Sequence, residues 1–204
     1  MELRTTREGV ANLRTYLRTS GIFSLNNNPW LPSLDDIGCR WEDMVDLVNN
    51  RELFFCKLYR KRSVYLTPEV YFLLKSCFCR PPLTPEAGAI YSFLQSGPAE
   101  KPAAKQALFL SPKAFDRGFA FLLENLYVTS FMGRPLVSSP ANSWFTLVYT
   151  TVEAWEDGLQ AIPDTPSDPA RAEARLRDLL SPQLDDREVD RLLHKRPAEA
   201  GKQD

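Results

Sequence analysis

Histidine is nearly missing from this chain. The single copy, His194, stands beside Lys195 and Arg196 near the end of the 204 residues, so a Ser/His/Asp or Cys/His catalytic set within the body is excluded. Glycine is sparse too. The nine copies are scattered, and none form a loop able to cradle phosphates. No apolar run approaches the roughly 18 residues that a bilayer span requires. The first residues, "MELRTTREGVANLRTYLRTSG", lack the apolar segment and small-residue cleavage site of a signal peptide. These features predict a cytoplasmic protein with no membrane partner, nucleoid-associated where it meets DNA. The four cysteines, Cys39, Cys56, Cys77 and Cys79, follow no familiar zinc spacing, and two lie inside aromatic runs. They read as small buried hydrophobes, with no metal, cofactor or disulfide framework expected.

A strong charge of either sign is also lacking, since the formal net charge is −1. The distribution is uneven. Residues 1–83 carry 12 basic and 9 acidic side chains, residues 84–151 carry 5 and 4, and residues 152–204 carry 8 and 13. The body is mildly basic and the tail acidic, which leaves the partner open. An acidic tail folded onto the basic body would compete with DNA, and removing it would then tighten binding. Hydrophobic residues make up 44% and charged residues 25%, a globular composition.

What the chain has is punctuation by proline. Thr67-Pro68, Thr84-Pro85, Ser111-Pro112 and Asp168-Pro169 each place a capping side chain before a proline at the first helical position. Further helices are predicted near residues 6–19, 41–48 and 187–194. "ELFFCKLYRKRSVYLTP" reads as two strands around the basic turn Arg60-Lys61-Arg62. Residues 84–155 read as three helices followed by a β-hairpin. In the third of these helices Phe115, Phe119, Leu122 and Leu126 form one apolar stripe. That order predicts a winged helix-turn-helix, with "RPLVSSPANS" as the wing.

The expected fold class is α+β, mainly α. It consists of tandem winged-helix units with C-terminal helices, divided at 1–83, 84–155 and 156–204, the last an acidic linker with two helices. Opposite the apolar stripe, the third helix offers Lys113 and Arg117, the residue types that read guanine edges or pin phosphates, offset by the acids Asp116 and Glu124. Phe121 lies off the stripe and would suit a protein partner. Lys57, Arg60, Lys61 and Arg62 form the densest positive spot, placed for phosphate contacts, and Arg134 in the wing joins the set.

Taken in order, "LRTSGIFSL", "LPSLDDI", "FFCKLYRKRSVYLTPEVYFLL", "SPKAFDRGFAFLLENLYV", "WFTLVYTTVEAW" and "ARAEARLRDLLSPQLDDREVDRLL" cover residues 10–194. Together they resemble the AlkZ-related winged-helix family, kin to the AlkZ-type DNA glycosylases that unhook interstrand crosslinks. The resemblance implies tandem winged helices, duplex DNA as partner and a setting in DNA repair. The enzymes of that family carry a glutamine-centred motif near the N-terminus that positions the attacking water. Here no glutamine precedes Gln95, and the "NNN" at Asn26–Asn28 is no substitute. The leading expectation is therefore a non-catalytic winged-helix DNA-binding protein with no catalytic residue assigned. One alternative is a winged-helix protein-interaction module. Another is a glycosylase with a non-standard site, using a carboxylate among Asp35, Asp36, Glu42 and Asp43 on a flipped nucleotide.

Overall fold

The computed structural model describes residues 7–135 and 145–193. Local chemistry accounts for most of its helices. Thr67, Thr84, Ser111 and Asp168 each accept a hydrogen bond from a backbone N–H of the first turn. They open α3 (Pro68–Cys77), α4 (Pro85–Gln95), α6 (Pro112–Glu124) and α8 (Pro169–Leu180). The remaining helices are α1 (Arg7–Ser20), α2 (Trp41–Asn49), α5 (Lys101–Ala107), α7 (Val152–Glu156) and α9 (Asp186–Leu192). Two three-stranded antiparallel sheets complete an α+β architecture that is mainly helical.

The first sheet comprises β1 (Ile22–Ser24), β2 (Phe54–Cys56) and β3 (Val64–Leu66), in the order β1-β3-β2. Every residue in it is buried. The register pairs Ile22 and Phe54 with Leu66, and Phe23 and Phe55 with Tyr65. Because strand side chains alternate in direction, the sheet acts as a wall between two apolar cores. On one side Ile22, Phe54, Cys56, Val64 and Leu66 meet α3, Trp155 of α7, and residues of α8 and α9. On the other, Phe23, Phe55 and Tyr65 meet α1, α2, α4 and α6. The turn entering β1 depends on Gly21, at φ +64, where a Cβ would lie 2.6 Å from the Val70 side chain.

The second sheet comprises β4 (Ala99–Glu100), β5 (Val128–Pro135) and β6 (Phe145–Thr151), in the order β4-β6-β5. Over residues 85–151 the element order is thus helix, strand, helix, helix, strand, strand, with the short first strand paired to the last. Helices α4 and α6 cross closely at Gly118, where a Cβ would sit 3.0 Å from the Ala87 backbone nitrogen. Two contacts tie this region to the central wall: Phe55 N–H donates to Thr129 Oγ1 at 3.0 Å, and Lys57 N–H to the Leu123 carbonyl at 3.0 Å.

Thr151 ends β6 and at once caps α7, where the sequence reads as strand through Trp155. The acidic C-terminal segment does fold back onto the body, but as part of the interior. Ala172, Leu176, Leu180, Leu184, Val189, Leu192 and Leu193 all belong to the first core.

Candidate nucleic-acid interface

Helix α6 turns Phe115, Phe119 and Leu122 into the second core. The stripe's last member, Leu126, lies beyond the helix end at φ +57 and packs into the first core. Lys113 stands exposed in the first turn and makes no ion pair with any described residue. Arg117, one turn further on, is paired with Glu86 at the start of α4. The Glu86 carboxyl is held below its ordinary value first by its backbone N–H at the helix start and then by Arg117. Asp116 is held by Lys101 at 2.9 Å and Lys105 at 3.6 Å, and both lysines lie over the Phe115 ring. Among the described residues the α6 face therefore presents one unneutralised cation, Lys113.

Phe121 is half-buried. Its ring stacks on Tyr127 with centroids 6.3 Å apart and packs against the second core, so part of the surface that its helical position leaves free is covered. The side chain of Arg134 and residues 136–144, which include most of the expected wing, lie outside the described residues, as does His194.

The basic turn between β2 and β3 is a tight one. Arg62 N–H donates to the Tyr59 carbonyl at 2.9 Å, and Arg60 and Lys61 both adopt positive φ, at 51° and 57°. Paired residues of that conformation make a hairpin turn usually built from Asn and Gly. Arg60 is latched to the tail: its Nε and Nη2 donate to Glu188 at 3.1 and 2.6 Å, while its guanidinium lies 4.3 Å above the Trp30 ring. Glu188 also accepts from the Tyr59 hydroxyl and from Arg191. Lys61 reaches Glu124 of α6 at 3.4 Å, which links the turn to that helix. Of the four cations, Lys57 and Arg62 make no ion pair with described residues, and the Arg62 guanidinium lies 5.8 Å from the Trp30 ring centroid.

The Glu188 cluster has a pH signature. Its hydrogen bonds to Arg60, then to Tyr59 and Arg191, hold the carboxyl near about 2, against an ordinary value of 4.5. Burial, and then the Glu188 hydrogen bond, push the Tyr59 phenol up to about 12. A carboxylate depressed in the folded state contributes stability that is complete above its unfolded value and is lost as pH falls through the folded one. Thermal melts of the protein should therefore lose stability as pH drops from 4.5 toward 2. Glu188→Gln should melt lower at neutral pH and show a shallower decline across that window.

Two of the four carboxylates considered for a flipped nucleotide, Asp36 and Asp43, are engaged locally. Asp36 Oδ2 accepts from Ser33 N–H at 2.8 Å and from its hydroxyl at 2.7 Å. Asp43 is buried and accepts from Arg40 N–H at 2.9 Å, closing the start of α2, while Asp35 stays exposed and Glu42 half-buried. Asn28 accepts from the N–H groups of Trp30 and Leu31, at 2.9 and 3.0 Å, and so shapes its own loop. Cys39 and Cys56 are buried free thiols, Cys77 is half-buried and Cys79 is exposed. Burial pushes the Cys56 thiol up to about 12. Among the described residues no group of His, Cys, Asp or Glu could hold a metal ion, and no helix is long and apolar enough to cross a membrane.

Sequence reasoning found the cations and set Asp116 and Glu124 against them, but missed Glu86 and Glu188, because those partners come from other elements. Glu86 alone had a local signal, its place in a Thr-Pro-Glu helix start.

In class this is a mixed α+β chain with two small antiparallel sheets and a partly neutralised basic surface. No family model matches it, and no curated protein matches it. Among solved structures it is similar to the Streptomyces sahachiroi DNA glycosylase AlkZ, with 12% sequence identity and a TM-score of 0.41. The match covers 93% of this chain and 55% of that one, so the chain spans about half the length of that protein.

Proposed function

We propose that this protein binds duplex DNA without catalysis, through residues 84–155 acting as a winged helix-turn-helix. The observation that carries the reading is the element order of that region: α4, β4, α5, α6, then the β5–β6 hairpin, with β4 paired to β6. In such a unit α6 is the helix that enters the major groove and the β5–β6 connection is the wing. Lys113 lies at the exposed N-terminal end of α6, where the helix dipole adds to its charge. Lys57 and Arg62 would add phosphate contacts from the basic turn, and Arg134 from the wing. Residues 1–83 would form a second, winged-helix-like unit, and residues 156–204 a C-terminal cover. The sequence resemblance to the AlkZ-related family makes DNA repair the setting. The local use of Asp36, Asp43 and Asn28 favours binding over chemistry.

The test is fluorescence anisotropy of a labelled duplex at two salt concentrations. Affinity should fall steeply with salt, because neutralised phosphates release counterions. Charge reversal at both Lys113 and Arg117 should weaken binding at low salt about tenfold or more and flatten the salt slope. A double variant that binds as the parent does would rule out docking through α6.

The ion pairs of Arg117 and Asp116 favour a second reading, a protein-interaction module, because they leave the α6 face close to neutral. Absence of duplex binding at low salt would select it.

A further inference from the structure

We propose that Phe109 is an aromatic wedge that stacks on an unpaired base of a DNA duplex. The inference rests on the duplex-binding reading and deepens it, from phosphate contact to preference for a disrupted base pair. Phe109 has a relative exposure of 108%, the most exposed large hydrophobic side chain among the described residues. A ring so fully in water has no part in the fold, yet its backbone is firmly held. Leu108 N–H closes the end of α5 on the Ala104 carbonyl at 3.2 Å, and Leu110 N–H donates to the Leu108 carbonyl at 2.8 Å. Both leucines pack against the second core. Ser111 then caps α6. The ring therefore projects from a pinned turn between two helices and not from a loose loop.

Its surroundings choose the occupant. Lys101 and Lys105 lie one turn apart on α5 and Lys113 opens α6, against two carboxylates of the same stretch, Glu100 and Asp116. The local surplus is positive, which fits a polyanion. Leu108 and Leu110 on either side are half-buried against the second core, so Phe109 is the large side chain of this turn that stands fully in water. Stacking on a base needs only one π-face, and apolar side chains are inserted in this way where a base step is already weakened.

The experiment compares the protein, Phe109→Ala and Phe109→Trp on a matched duplex and on the same duplex with one unpaired 2-aminopurine. Binding is read by anisotropy, and stacking by quenching of the 2-aminopurine. The protein should prefer the disrupted duplex about tenfold, equivalent to about 1.4 kcal/mol, and quench its fluorescence. Phe109→Ala should lose both effects while keeping matched-duplex affinity, salt slope and melting temperature. Phe109→Trp should retain both. Matched-duplex binding with no preference, or a preference that survives Phe109→Ala, overturns the wedge and leaves duplex binding intact. Failure of the protein to bind either duplex at low salt overturns both, and assigns the ring to a protein partner.

Discussion

Trp155→Ala should cost about 3–5 kcal/mol of folding stability, a large part of the roughly 5–15 kcal/mol typical of a folded protein. Trp155 is fully buried in α7 and meets Phe54 edge-on at 5.0 Å and Tyr71 edge-on at 5.2 Å. It thereby fixes α7 against both the first sheet and α3. Its indole N–H meets no acceptor among the described residues, so its value lies in packing. Trp155→Phe should therefore recover much of the loss. Urea unfolding at neutral pH measures both variants. A Trp155→Ala midpoint equal to the parent's would show that this core is not continuous across α7.

The second large effect concerns the acidic segment. A chain ending just before Pro169 should lose cooperative melting and bind a hydrophobic dye, instead of binding DNA more tightly as a detachable competitor would. Leu176, Leu180, Leu184, Val189, Leu192 and Leu193 are all at most 7% exposed. Each such side chain is worth roughly 1.5–3 kcal/mol when buried, so together they match the whole stability of a typical domain. Circular dichroism melts settle the point. A sharp transition in the shortened chain, together with tighter duplex binding, would restore the competitor reading. The direct charge contact from this segment to the basic turn among the described residues, Glu188 with Arg60, rides on that buried scaffold.

Helix starts were legible because their chemistry is local: a Thr, Ser or Asp cap followed by proline needs no knowledge of the rest of the chain. The short strands β2 and β3 were legible from the aromatic and branched residues flanking their turn, but β1 and β4 were not. Ala99–Glu100 is a strand only because it borders β6, and Ile22–Ser24 only because it borders β3. The start of α7 was hidden because Thr151 and Val152 continue a β-branched run. The first sheet shows a further limit. A continuous apolar run such as Leu53–Cys56 signals burial on both faces, but it does not say that Phe54 and Phe55 enter different cores. At the interface the cations could be named from sequence. The acids on the same helix, Asp116 and Glu124, could be named too, but neutralisation by Glu86 and Glu188 could not, since these come from α4 and α9.

The wall between the two cores also bears on how the chain is made. Its first strand, Ile22–Ser24, is made well before Leu192 and Leu193, which complete the core on one of its faces. Contacts of such sequence separation form slowly, and apolar strands that wait for them are prone to associate with other chains. Until α8 and α9 are in place, the face of Phe54, Val64 and Leu66 is covered only in part, by α3 and Trp155, and is open to association with other chains.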